Sequence, residues 1–217
     1  MSRYTLVVGN KNYSSWSLRP WLVMKHLGLE FDEVVIPLMQ DDFKAKILAH
    51  SPAGKVPILK ADGFDVWDSL AICEYLNEEH GAGKLWPSDA GEKALARSVA
   101  YEMHSGFFTV RNDMPMNIRR IVDGFNPSAD CQAEIDRIKE IWTDCLNMKT
   151  AEGPFLFGEF SIADAMFAPV IWRFNSYGIV LEGALADYSR AVREMEIMQD
   201  WVEAAKAEEW VMDAVEL

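Results

Sequence analysis

Ser51-Pro52-Ala53-Gly54-Lys55-Val56-Pro57-Ile58-Leu59 is the stretch whose reading decides the fold. Pro52 and Gly54 mark a loop, and the Val56-Pro57 step opens a short apolar strand over 56–59. After the Asp62-Gly63 turn signal, 64–67 reads as another strand. Residues 68–79 then carry helical periodicity through Leu70, Ile72, Cys73 and Leu76. On the other side of the loop, 41–50 reads as a weaker helix and 31–36 as a strand. A helix is expected over 15–27, with Gly28 placed to end it and Pro20 tolerated near the first turn. A first strand spans 4–8 and stops at Gly9-Asn10. The order is βαβα-ββα.

Beyond it, 81–87 reads as a linker, and the remainder is biased to helix, with expected segments at 92–112, 130–150, 162–177, 187–195 and 196–208. The sequence therefore predicts an α/β domain over 1–80 and an all-helical domain over 88–217. The chain has 217 residues and a formal charge of -13, which argues against a nucleic-acid partner. Residues 1–80 hold 8 basic and 11 acidic side chains, and the rest hold 13 and 23, so the acidity belongs mainly to solvated helix faces. Cys73, Cys131 and Cys145 are odd in number and lack C-x-x-C spacing, which disfavours a disulfide framework, a zinc ribbon or a dithiol site. His26, His50, His80 and His104 show no metal spacing. No basic-then-apolar leader and no run of membrane-spanning length is read, so a cytoplasmic protein without membrane partner is expected.

Four local patterns carry a resemblance to a known family. Ser14-Ser15-Trp16-Ser17-Leu18-Arg19 resembles the S-S-C-S-x-R segment of zeta-class glutathione transferases, with Trp16 in place of the cysteine. Ser51-Pro52-Ala53-Gly54-Lys55-Val56-Pro57 resembles the family's N-P-x-x-K-V-P loop, Asp68-Ser69 its E/Q-S step, and Gly158-Glu159-Phe160-Ser161-Ile162-Ala163-Asp164 its G-x-x-x-S-x-A-D segment, one residue shorter. In this order and spacing, the chain is identified as a member of the cytosolic glutathione transferase family, zeta-like, of the serine type and bacterial.

The resemblance implies a thioredoxin-like N-terminal domain that binds glutathione as co-substrate, an all-α C-terminal domain for a small-molecule electrophile, a homodimer, and a role in detoxification. It implies that Ser14, supported by Ser15, meets the glutathione sulfur. A thiol of pKa ~8.5 is mostly protonated at neutral pH, and lowering it by ~2 units takes roughly 2.7 kcal/mol, within reach of a hydroxyl donor and a helix N-terminus. Which serine contacts sulfur stays open, because either one also suits a helix cap. Val56 would pair with the cysteinyl part of glutathione, before a cis Pro57. Lys55 would face the glycyl carboxylate, and Asp68 and Ser69 the γ-glutamyl end. For the electrophile, Tyr101, Ser105, Phe108 and Asn112 fall at helical spacing, with Arg111 nearby and Arg173 on a later helix. Arginines suit an acidic substrate, so isomerisation of a maleyl-type diacid is an alternative to conjugation. A non-catalytic binding module of the same fold is a third reading.

Overall fold

The computed structural model describes residues 3–216. The first part runs β1 (Tyr4–Gly9), α1 (Ser15–His26), β2 (Phe31–Ile36), α2 (Phe43–Leu48), β3 (Ile58–Ala61), β4 (Phe64–Trp67) and α3 (Ser69–Glu79). The four strands lie in the order β2-β1-β3-β4, with β2 parallel to β1, β3 antiparallel to β1, and β4 antiparallel to β3. This is a thioredoxin-like sheet. Alternation along β1 sends Leu6 and Val8 into the main core and Val7 to the opposite face, where it meets Ile36, Ile47 and Ile58.

The second part is helical: α4 (Ala90–Ser105), α5 (Phe108–Asp113), α6 (Ala129–Met148), α7 (Ile162–Ser176), α8 (Gly183–Glu194) and α9 (Glu196–Ala207). In α6, Cys131, Ile135, Ile138, Trp142 and Cys145 are buried at three- and four-residue spacing, and the Ser128 hydroxyl accepts from the Cys131 N–H at 3.2 Å. Asp89 caps α4 by accepting from Gly91 and Glu92 N–H groups. Helix α7 is buried along almost its whole length and packs on α1, α4 and α8. One hydrophobic core therefore runs from the sheet through α1 into the helices. Among the described residues no helix is long and apolar enough to cross a membrane.

Two expectations are corrected. The segment read as one helix over 92–112 is two, because Gly106 is extended and Phe107 is left-handed (φ 59°) between α4 and α5. Pro20 lies inside α1, beyond its first turn, so it is tolerated by a buried, tightly packed helix and not by a terminal position. Boundaries elsewhere differ by a few residues, as at α2 and β3.

The start of α7 depends on a buried acid. The Asp164 carboxylate accepts from the Ser161 N–H and hydroxyl, each at 2.8 Å, and from the Leu156 N–H at 3.1 Å. Burial nevertheless pushes its pKa up to about 6, the hydrogen bonds opposing that rise. A folded-state value above the unfolded one, about 3.9, means that stability is lost as pH rises between the two. Asp164→Asn does not titrate there. Wild type is therefore expected to lose of order 3 kcal/mol relative to Asp164→Asn between pH 4 and pH 7, read as a falling difference in melting temperature. A pH-independent difference contradicts this.

Candidate active site

A cleft of about 510 Å³ opens between the end of β4, the β3 loop, the mouth of α1 and α4, lined by Trp16, Ala53, Lys55, Val56, Pro57, Trp67, Asp68, Ser69 and His104. The Val56–Pro57 bond is cis. The last β3–β4 pair is Ile58 with Trp67, so the chain at Val56 continues beyond that ladder with its backbone at the cleft. Lys55 is exposed at the same wall.

At the opposite end, Asp68 adopts a left-handed φ of 75°, unfavourable for a residue with a Cβ. The turn it makes places its carboxylate over the start of α3. Its Oδ1 accepts from the Leu70 N–H at 2.9 Å and the Ala71 N–H, while Oδ2 lies 3.2 Å from His104 Nε2. Ser69 follows as the first residue of α3. It is 1% exposed, and its hydroxyl is buried beside the cleft without a hydrogen-bond partner among the described residues. A buried hydroxyl with no partner is costly, and a carboxylate at this helix N-terminus would relieve that cost.

Ser14 and Ser15 are buried and lie outside the cleft's lining; Trp16 takes that place. The Ser14 hydroxyl donates to Ser17 Oγ at 2.8 Å, and Ser17 Oγ also accepts from the Gly9 N–H at 3.1 Å. Ser15 Oγ accepts from Arg173 Nη2 at 3.2 Å. The two serines thus have different surroundings: Ser14 belongs to a hydroxyl pair, Ser15 to a guanidinium.

The residues expected to hold the electrophile separate. Tyr101, Ser105, Phe108 and Asn112 are exposed and do not line the cleft, because the break at Gly106 divides them between two helices. The Ser105 hydroxyl donates back to the Tyr101 carbonyl of its own helix. Arg111 and Arg173 do converge near the mouth of α1, joined by Arg19. Arg19, 1% exposed, donates through Nε to the Met166 carbonyl at 3.0 Å and leaves Nη1 without a partner. The guanidiniums of Arg19 and Arg111 lie 4.3 Å and 4.6 Å from the Trp16 ring centre. Arg111 also donates to the Gly106 and Met103 carbonyls. Arg173 Nη1 reaches the Met114 carbonyl at 2.9 Å.

None of the three arginines makes an ion pair with a carboxylate among the described residues. Burial, and then repulsion from Arg111 and Arg173, holds the Arg19 value well below its ordinary one. Burial and then Arg111 bring Arg173 down to about 9, and burial brings Arg111 down to about 10 against the attraction of Glu134. The cluster is a positive focus short of counter-charge. The three cysteines are free and buried, their thiol pKa values pushed up by burial. Among the described residues no group of three or more His, Cys, Asp and Glu could hold a metal.

Sequence reasoning missed Trp16, Arg19 and His104. His104 lines the cleft, pairs with Asp68, meets Trp16 edge-on at 5.3 Å and keeps Nδ1 buried without a partner. Arg19 carried a signal, as the one charge among the apolar residues between Leu18 and Met24. His104 carried none, since its partner Asp68 is distant along the chain.

The sheet, the helical part and the cleft at the Val56 edge define a thioredoxin-like protein with a groove for an extended peptide ligand. Residues 13–79 match the glutathione S-transferase N-terminal domain. The chain is 28% identical to a probable maleylacetoacetate isomerase of Caenorhabditis elegans, over 77% of each chain. It is also 28% identical to the maleylacetoacetate isomerase of Rattus norvegicus, over 72% of this chain and 71% of that one. A crystal structure of a glutathione transferase homologue from Burkholderia, with bound glutathione, superposes with a TM-score of 0.71 at 23% identity, covering 96% of this chain and all of the other. Residues 13–79 thus carry the N-terminal domain pattern of the glutathione S-transferases, and the fold of nearly the whole chain is the one seen in the Burkholderia homologue.

Proposed function

We propose that the chain is a glutathione transferase in which glutathione lies along the cleft and its thiolate attacks a small electrophile. The observation that carries this reading is the buried, unpartnered Ser69 hydroxyl at the head of α3, in a cleft that also presents Lys55 and the Val56 backbone. The γ-glutamyl carboxylate takes the Ser69 hydroxyl and the positive end of α3. Asp68, and His104 through it, sit beside the α-ammonium. The cysteinyl backbone adds to Val56 as an extra strand, and Lys55 meets the glycyl carboxylate.

The sulfur then falls at the mouth of α1. A hydroxyl hydrogen rotates freely, so the Ser14–Ser17 pair can reverse. Ser17 then donates to Ser14 Oγ, freeing the Ser14 proton for the thiolate, while the Gly9 N–H continues to polarise Ser17. The α1 N-terminus adds its dipole. The thiolate attacks an electrophilic carbon, a carbon–sulfur bond forms, and the leaving group or π electron pair departs or takes up the proton.

Calorimetric titration of glutathione, with thiolate absorbance followed against pH, tests this. Wild type is expected to bind and to lower the thiol pKa by ~2 units. Ser14→Ala is expected to bind without that lowering, and Ser69→Ala to lose about tenfold or more in affinity. If wild type binds no glutathione, the binding-module alternative takes its place; if only Ser14→Ala is silent, Ser15 carries the sulfur contact.

The arginine cluster favours an electrophile bearing a carboxylate, and with it the second reading, glutathione-dependent isomerisation of a maleyl-type diacid. Arg19, Arg111 and Arg173 form no ion pair among the described residues, and an incoming carboxylate supplies one. An acidic electrophile is expected to outpace its neutral amide, and Arg111→Met to erase about tenfold of that preference in kcat/KM. Equal rates in wild type contradict the assignment.

A cytoplasmic setting, a detoxifying role and a two-fold dimer complete the proposal. Phe64 and Trp67 leave large apolar surfaces exposed on the edge strand β4, a face suited to a second copy. A solution mass equal to the 24.6 kDa chain contradicts the dimer.

A further inference from the structure

The turn that delivers Ser14 is held from the far end of the chain. Tyr13 and Ser14 N–H groups both donate to the Asn10 carbonyl, closing the turn. Asn10 Oδ1 and the Lys11 ammonium are held within the first part, by the Leu38 N–H and Glu33, and several other polar groups of the turn are bound by the helical part. The Lys11 carbonyl accepts from Trp201 Nε1 at 2.9 Å, and the Asn12 carbonyl accepts from the Ile118 N–H at 3.2 Å. The Asn12 side chain accepts from the Arg119 N–H and donates to Asn117 Oδ1. Tyr13 OH donates to Glu216 and accepts from Arg119 Nη2 at 3.0 Å.

Two N–H groups remain, on Lys11 and Asn12, and a single carboxylate takes both. Glu208, the first residue after α9, accepts from the Lys11 N–H through Oε1 at 2.6 Å and from the Asn12 N–H through Oε2 at 3.0 Å. Arg119 in turn holds the Glu208 and Trp210 carbonyls. Glu208 is half-buried, and its burial raises its pKa against the two N–H bonds, Lys11 and Arg119. The turn is buried from Asn10 to Ser14, so its amides need partners within the protein. A forked carboxylate also fixes the orientation of two consecutive peptide planes.

We propose that Glu208 is a positioning residue for thiol activation: its carboxylate bridges Lys11 and Asn12 and sets the turn that presents Ser14 to the glutathione sulfur. This rests on the transferase reading of the cleft. Glu208 does not line the cleft, so it acts on the geometry of the serine and not on glutathione binding. Replacing it by glutamine turns an amide NH2 toward one of the two N–H donors and releases that arm of the fork.

The test compares wild type, Glu208→Gln, Glu208→Asp and, as a control on the exposed face of α9, Glu203→Gln. Each is titrated with glutathione by calorimetry, and the bound thiol's pKa is read from thiolate absorbance. Glu208→Gln is expected to raise the bound thiol's pKa by about one unit, from ~6.5 to ~7.5, roughly threefold less thiolate at pH 7, with a Kd within about twofold of wild type. Glu208→Asp, which keeps the charge but withdraws it by one methylene, is expected to fall between, and Glu203→Gln to match wild type. A lowered melting temperature with an unmoved thiol pKa in Glu208→Gln overturns the proposal. Should that variant fail to fold, an unmoved pKa in Glu208→Asp overturns it equally. A wild type that binds glutathione without lowering its pKa defeats the transferase reading instead, before any variant is compared.

Discussion

Helix α1 is packed from both sides at once. From Ser17 to Met24 every residue is buried, between the sheet and α3 on one side and α7 and α9 on the other. An α-helix normally keeps one face for water, and this one has none before its last turn. Its axial position and its rotation are therefore fixed by two sets of neighbours, and its N-terminus cannot shift without repacking both. That constraint is what a thiol-activating group needs, since a displacement of about 1 Å in a reacting geometry costs far more in rate than in stability. Several hydrogen bonds that cross between the two parts converge on this end of the helix: Arg19 to Met166, Arg173 to Ser15, Trp201 and Glu208 to Lys11.

The same burial produces the electrostatics. A guanidinium cannot shed its charge readily, so enclosing Arg19 and Arg173 near Arg111 stores unfavourable energy beside the cleft. The Trp16 ring under two of them offsets part of it. The chain as a whole is acidic, yet this region is locally positive. Thiolate and carboxylate both gain from that local field. Trp16 brings an aromatic platform for Arg19 and Arg111 at the mouth of α1.

Much of the fold was legible because its signals are local. Asp62-Gly63 between two β-prone runs, and Ser128 ahead of apolar residues spaced by three and four, need no knowledge of the rest of the chain. Lys55, Val56, Pro57, Asp68 and Ser69 were legible through short contiguous motifs that resemble a known family, and all five line the cleft. Spacing failed where the chain broke it. Tyr101 and Asn112 share a face only if a helix runs through Gly106, and the left-handed Phe107 stops it. It also failed where a side chain's role comes from a partner distant in sequence. His104 takes its place from Asp68, Ser15 from Arg173, and Lys11 from Glu208, and no periodicity connects them.

In the proposed complex α1 presents Ser14, not Ser15 or Trp16, to the sulfur of a glutathione anchored at Ser69. A crystal structure with glutathione bound is the measurement to make. The expected result is the γ-glutamyl carboxylate on the Ser69 hydroxyl and the sulfur within hydrogen-bond reach of Ser14 Oγ, with Ser14 still touching Ser17. A sulfur lodged against Trp16 and His104, with Ser14 bonded to Ser17 alone, contradicts it.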